Sequence, residues 1–131
     1  MLVVDAGVLF EIVAGTPKAE ALRRELAADD DLMAPHLIDA EVLGVIRKHH
    51  ERGWLDRTAA DQAVDDLRDW PGERLSHRPL LERAWELRST VRSDDALYVA
   101  LAEALDAPLL TTDGRLARAP GPRCRIELVP R

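Results

Sequence analysis

The chain has 131 residues, with 18 Lys or Arg against 24 Asp or Glu, for a formal charge of −6. A chain of this length makes one domain, residues 1–131, able to remove roughly two thirds of its unfolded surface from water. Its 47% hydrophobic and 32% charged residues exclude wholesale disorder; no apolar run approaches the ~20 residues of a membrane span, and a single cysteine, Cys124, excludes an internal disulfide.

The elements alternate. Leu2-Val3-Val4 is a short buried-type strand ending in Asp5, and Ala6 to Ala14 carries helical spacing to a stop at Gly15. Pro17 opens a second helix through about Ala28, Asp29 to Asp31 make a polar turn, and Leu32-Met33-Ala34 is the second strand. A long helix follows from about Pro35 to Arg52, ended by Gly53. Asp56 caps the next, which reaches Trp70 and stops at Pro71-Gly72. Arg74-Leu75-Ser76 reads as a minor strand and Pro79 to Arg92 as a helix. Ser93 caps a helix from Asp94 to Leu105, Pro108 to Thr111 is a buried strand, Gly114 to Ala119 a short helix and Arg125 to Val129 the last strand. Strands separated by helices need crossover connections, so the expected fold is a three-layer α/β/α domain around a mostly parallel sheet.

Several acids interrupt this apolar pattern. On the long helix, Leu37, Ile38, Val42, Val45 and Ile46 form one stripe at ~100° per residue, and Glu41 falls inside it. A carboxylate there binds a cation, pairs with an arginine from a neighbouring element, or takes up a proton. Asp5 and Asp113 each follow a buried strand, at the edge where open parallel sheets bind ligands; each equally suits a helix N-cap. Asp94 and Asp95 sit where a helix dipole stabilises negative charge without any ligand. One sheet edge can nevertheless gather two strand ends, a helix start and an inward-facing Glu. Carboxylates brought that close repel, and a hard divalent cation, Mg²⁺ or Mn²⁺, relieves the repulsion.

These residues carry a resemblance. Val3-Val4-Asp5, the run Ala34 to Leu43 around Glu41, the run Asp95 to Glu103 and Leu110-Thr111-Thr112-Asp113 stand in the order and spacing of the PIN-domain ribonucleases, and within them resemble the toxins of VapBC toxin–antitoxin pairs. The resemblance covers nearly the whole chain. It implies that Asp5, Glu41, Asp95 and Asp113 form a Mg²⁺ site, with Mn²⁺ as substitute, for endonucleolytic hydrolysis of RNA leaving 5′-phosphate and 3′-hydroxyl ends. It further implies a cognate VapB-like antitoxin and a toxin homodimer. Helical periodicity alone sets Asp94 nearer the row of Leu97, Tyr98 and Leu101, so Asp94 stands as the alternative to Asp95. At residue 7, where such proteins usually have Ser, Thr or Asn, this chain has Gly7.

An acidic protein acting on RNA needs local basic groups. Residues 115–131 hold five arginines (115, 118, 123, 125 and 131) against Glu127, and Arg47, Lys48 and Arg52 form a second basic stretch. His49 and His50 read as surface residues at a helix end, and Asp61, Asp65, Asp66 and Asp69 as a solvated face. The surplus of Val8, Leu9, Phe10, Ile12, Val13, Leu22 and Leu26 on the first two helices offers an antitoxin-binding groove. With five aromatics, the chain carries no stacking platform for bases. Sixteen arginines against two lysines suit a GC-rich bacterial genome, and the solitary cysteine a reducing cytoplasm.

Three other readings compete. A receiver-type phospho-acceptor domain needs a Lys after a late strand, and the only lysines are Lys18 and Lys48; a phosphatase of the haloacid dehalogenase type needs a second acid at residue 7. A PIN-like module that binds RNA or protein without cleaving remains the alternative function.

Overall fold

The computed structural model describes residues 1–28 and 31–129. Five strands, β1 (Leu2–Val4), β2 (Leu32–Pro35), β3 (Glu73–Leu75), β4 (Leu109–Thr111) and β5 (Ile126–Leu128), form one sheet in the order β3-β2-β1-β4-β5. All four pairings are parallel, with Val3 opposite Met33 on one side and Leu109 on the other. Val3, Val4, Leu109 and Leu110 are buried on both faces of the sheet, which explains their uninterrupted apolar character.

The crossovers carry α1 (Ala6–Val13), α2 (Ala19–Ala27), α3 (Leu37–Glu51) and α4 (Arg57–Asp69) between β1 and β3, then α5 (Leu81–Glu86) and α6 (Ser93–Leu105) before β4, and α7 (Gly114–Arg118) before β5. Chain direction across the sheet reverses after β3, so right-handed crossovers put the first four helices on one face and the rest on the other. The packing agrees: α1 lies against α3 and α4, and α6 against β1, β2 and β4. The expected three-layer α/β/α architecture is the one observed. Strand order reverses between β1 and β4, and the carboxyl ends at such a switch point are where open parallel sheets place a ligand crevice.

Local departures have local causes. The second helix starts at Ala19 rather than Pro17, because the Thr16 hydroxyl is tied back to the Glu11 carboxylate and the Ala19 amide bonds to the Thr16 carbonyl. The helix expected over 79–92 breaks into a 3₁₀ turn, Arg78–Leu80, then α5 and a run of tight turns. The amides of Leu87, Arg88 and Thr90 bond three residues back, and the burial of Leu87 and Val91 holds this tighter winding. Ser93 is the first residue inside α6 rather than its cap. Arg92 takes the extended cap conformation, with its carbonyl accepting from the Ala96 amide, and the helix start carries Asp94 and Asp95 instead of a capping hydroxyl. The minor strand lies one residue earlier than expected, and of the Asp29 to Asp31 turn, Asp29 and Asp30 lie outside the described residues.

The apolar surplus on α1 and α2 does not form an open groove. Val8, Leu9, Phe10, Val13, Leu22 and Leu26 are all buried, because α1 is covered by α2, α3 and α4 together. Ile12 alone of that set stays partly exposed, beside a cleft of about 400 Å³ shared with Leu26, Leu32 and Trp70. His49 also turns inward, its ring 4.6 Å from that of Phe10 and its Nδ1 3.0 Å from the Val45 carbonyl, while His50 is exposed.

Arg74 joins the first layer to the sheet edge. Its guanidinium donates to Asp39 Oδ1 (2.9 Å) on α3 and to the Leu67 (2.7 Å), Trp70 (2.7 Å) and Gly72 (3.1 Å) carbonyls at the end of α4, and it stacks on the Trp70 ring. A lysine cannot reproduce this fork. Arg74→Lys is therefore expected to lower the unfolding free energy by about 1–3 kcal/mol, read from urea melts; an unchanged midpoint would show that the network contributes nothing net.

Candidate active site

Asp5 follows β1 and Asp113 follows β4, so the pairing of those strands makes the two acids neighbours at the crevice. Both are also helix N-caps. Asp5 Oδ1 accepts from the Val8 amide at 3.0 Å, and Asp113 Oδ1 from the Arg115 amide at 2.8 Å. Cap and site readings thus coincide in one placement. The Thr111 hydroxyl donates to Asp5 Oδ2 and accepts from the Asp113 amide at 3.0 Å, so it links the two acids. Thr111 is fully buried, and Asp5 is only 7% exposed.

Glu41 lies on α3 in the half-buried row Leu37, Glu41, Val45, flanking the fully buried row Ile38, Val42, Ile46. The expected position inside the apolar stripe is thus its edge. Among the described residues no arginine pairs with it; its Oε1 accepts from the Tyr98 hydroxyl of α6 at 2.8 Å. Asp94 and Asp95 occupy the first turn of that same helix, whose start opens on the crevice. Asp94 sits at an Arg92 guanidinium, 3.7 Å away. Among the described residues, Asp5, Glu41, Asp95 and Asp113 make no ion pair.

The electrostatics report a common field. Burial pushes Glu41 up to about 7, against the help of the Tyr98 hydrogen bond, and Asp94 and Asp95 push it further the same way. Asp95 is raised to about 6 by burial and by the charges of Asp94, Asp113 and Asp5. Asp5 is raised as well, by burial and secondarily by Asp113, although Thr111 and the Val8 amide pull it down. The same field and its own burial push the Tyr98 hydroxyl far up, which keeps it a donor. Both Asp94 and Asp95 belong to this field, Asp94 on the Glu41 side and Asp95 on the side of Asp5 and Asp113.

The arrangement is not a preassembled coordination shell. Among the described residues no three Asp, Glu, His or Cys side chains surround one point as metal ligands. Asp5, Glu41 and Asp113 each hold an oxygen on a protein donor. The donor set nonetheless fits a hard divalent cation: it is all oxygen and partly desolvated, and the one arginine acting on it, Arg92, sits at Asp94 and offsets the field at Asp95 only in part.

Reading the sequence alone passed over Tyr98, Thr111 and Thr112 as site residues. A signal was present for Thr111, since a hydroxyl closing a strand otherwise built from buried leucines must find a partner. The arginines divide. Arg115 and Arg118 lie on α7 beside Asp113, with the Arg118 guanidinium folded back over Gly114. Arg123 and Arg125 line a cleft with Asp106 and Pro108 at the opposite, amino edge of the sheet, and Arg47, Lys48 and Arg52 end α3 away from the crevice. Arg131 lies outside the described residues.

Comparison with known proteins identifies the family: residues 2–122 match a family model described as PIN domain. The chain belongs to the PIN-domain family, in its VapC group. Ribonuclease VapC1 of Mycobacterium tuberculosis is 44% identical over 128 residues, covering 97% of this chain and 96% of that protein. Ribonuclease VapC12 of the same organism is 39% identical over 129 residues, covering 98% and 99%. The crystal structure of VapBC2 from Rickettsia felis, bound to a DNA fragment from their promoter, shares the fold with a TM-score of 0.69 at 16% identity over 97% of each chain. So does PAE2754 from Pyrobaculum aerophilum, with a TM-score of 0.62 at 24% identity over 88% of this chain and 83% of the other.

A raised carboxyl pKa gives a signed stability effect. Between its ordinary value and about 7 the folded protein keeps a proton on Glu41 that the unfolded chain has released. Metal-free stability therefore falls as pH rises through that window, and the penalty is complete above it. Glu41→Gln removes the charge and keeps an acceptor for Tyr98. In EDTA it is expected to melt like wild type near pH 4.5 and to be more stable at pH 8, on the order of 1 kcal/mol after solvent screening. Thermal melts at the two pH values check this, and a destabilised variant at pH 8 would contradict it.

Proposed function

We propose that this chain is a divalent-cation-dependent endoribonuclease, the toxin of a bacterial, cytoplasmic toxin–antitoxin pair, working as a homodimer and held inactive by a VapB-like antitoxin. The observation that carries the reading is the set of partly buried carboxylates, raised by burial and by one another, at the carboxyl ends of β1 and β4. Full-length similarity to proteins named ribonuclease VapC supports it.

Asp5, Glu41, Asp95 and Asp113 would hold Mg²⁺, with Mn²⁺ as substitute and Asp94 as the alternative to Asp95. When bound, the ion supplies Lewis acidity toward an RNA phosphodiester and its attacking water. The protein's own part is placement and protonation. The Val8 amide and the Thr111 hydroxyl fix Asp5, and the Tyr98 hydroxyl holds one Glu41 oxygen. Burial and the neighbouring acids raise Glu41 to about 7 while no cation is present, so binding the ion displaces its proton and leaves Glu41 a carboxylate ligand. Exposed Arg92, Arg115 and Arg118 border the crevice, and Arg78 follows the carboxyl end of β3; these positions suit contacts to the phosphates on either side of the cut.

Purified protein incubated with cellular RNA and Mn²⁺ is expected to give discrete fragments with 5′-phosphate ends, and EDTA to abolish them. Asp5→Asn and Asp113→Asn should each lower the rate at least ~100-fold, the scale on which single groups of an electrostatic site act. RNA retention without cleavage under every cation would instead favour the binding-module reading. Co-purification with the product of an adjacent short reading frame, and loss of cleavage in that complex, test the antitoxin.

A further inference from the structure

Gly7 lies in the first turn of α1, two residues beyond Asp5, and its backbone does not require glycine: its φ is not positive, unlike those of Gly15, Gly53 and Gly121. Glycine is a poor helix residue, and what distinguishes residue 7 is the space around it. A Cβ at residue 7 would run into the hydroxyl oxygen of Thr112 and come within 3.5 Å of Asp5 Oδ1. The Thr112 hydroxyl thus fills the volume where a side chain at residue 7 would begin.

The two adjacent threonines differ in what their hydroxyls do. Thr111 donates to Asp5 and accepts from the Asp113 amide. Thr112, half-buried between the Asp5 and Asp113 ends of the rim, makes no hydrogen bond among the described residues. It keeps one donor and two lone pairs free beside an acid whose own oxygens are held by Val8 and Thr111. Mg²⁺ gives up its waters reluctantly and stays partly hydrated in protein sites, and those waters need acceptors around the ligand carboxylates.

We propose that Gly7 and Thr112 act as one unit: the glycine clears a place beside Asp5, and Thr112 brings into it, from the end of β4, the hydroxyl that orders the hydration of the bound divalent cation. Thr112 is a positioning residue, and the hydroxyl expected at residue 7 is supplied from residue 112. The proposal rests on reading the acidic rim as a cation site.

Calorimetric titration of metal-free protein with Mn²⁺ tests it without any turnover. Thr112→Ser should bind like wild type, while Thr112→Ala and the near-isosteric Thr112→Val should bind about tenfold more weakly, the usual cost of losing an outer hydrogen-bonding partner. Gly7→Ser alone should also weaken binding, because two side chains then contend for one place. Thr112 Cβ lies at an ordinary 3.5 Å from the residue 7 position, so the double variant Gly7→Ser with Thr112→Ala should fit and recover most of the lost affinity. Melts in EDTA confirm that each variant is folded. Thr112→Ala and Thr112→Val binding as tightly as wild type, or a double variant that sums the two losses, would overturn the proposal and leave the cation site standing. Wild type that takes up no Mn²⁺, indistinguishable from Asp5→Asn, would remove the cation reading and this inference with it.

Discussion

The controlling constraint is the mutual repulsion of carboxylates that the sheet forces together and that Arg92, at Asp94, relieves only at one end. Asp5 and Asp113 cannot avoid each other, because β1 and β4 pair in parallel and both chains leave the sheet at the same edge. The start of α6 adds Asp94 and Asp95, and α3 adds Glu41, whose nearest partner is an uncharged phenol.

Helix ends ease the repulsion without cancelling it. Asp5 and Asp113 cap α1 and α7, and a carboxylate at a helix start gains about 0.3–1 kcal/mol from the dipole. One pKa unit corresponds to about 1.4 kcal/mol, and Glu41 rises from an ordinary 4.5 to about 7. At Glu41, burial and like charge therefore outweigh what the Tyr98 bond provides. The capping role of Asp5 explains its presence after a strand but not its burial, nor its sharing of Thr111 with Asp113. A structure that required only caps would leave them in solvent, as Asp56 is left at the start of α4.

How much of this was legible in the sequence follows from how local each signal is. The run Leu2-Val3-Val4-Asp5, the α3 stripe with Glu41 at its edge, and the alternation of strands and helices depend on short-range pattern, and the order of elements follows it, with bounds shifted at α2 and β3. The apolar faces of α1 and α2 looked like surplus because a sequence does not show that α1 is covered from three sides. The break after Glu86 is set by the burial of Leu87 and Val91, again a tertiary fact. The α6 start gave the correct helix with the wrong cap, since serine propensity was outweighed by the path of the chain from Val91. Gly7 showed the opposite limit: the sequence displayed a missing polar group, but only the fold shows Thr112 standing in its place.

The overall charge of −6 poses less of an obstacle to a polyanionic substrate than it first suggests. At physiological ionic strength fields decay over about 8 Å, so a phosphate at the crevice responds to nearby groups rather than to the sum. Many arginines are internally compensated at a distance from it: Arg24 by Glu20, Arg47 by Glu51, Arg83 by Glu103 and Arg125 by Glu127. Arg78, Arg115 and Arg118 make no ion pair among the described residues, and they occupy segments that begin at the carboxyl edge. The acids of α4, Asp61, Asp65, Asp66 and Asp69, are exposed or nearly so, and three of them are engaged by Arg57 or Arg68. Uncompensated negative charge is thus held in the crevice, where a divalent cation would take it up, while free positive charge lies at its border, where phosphates would pass.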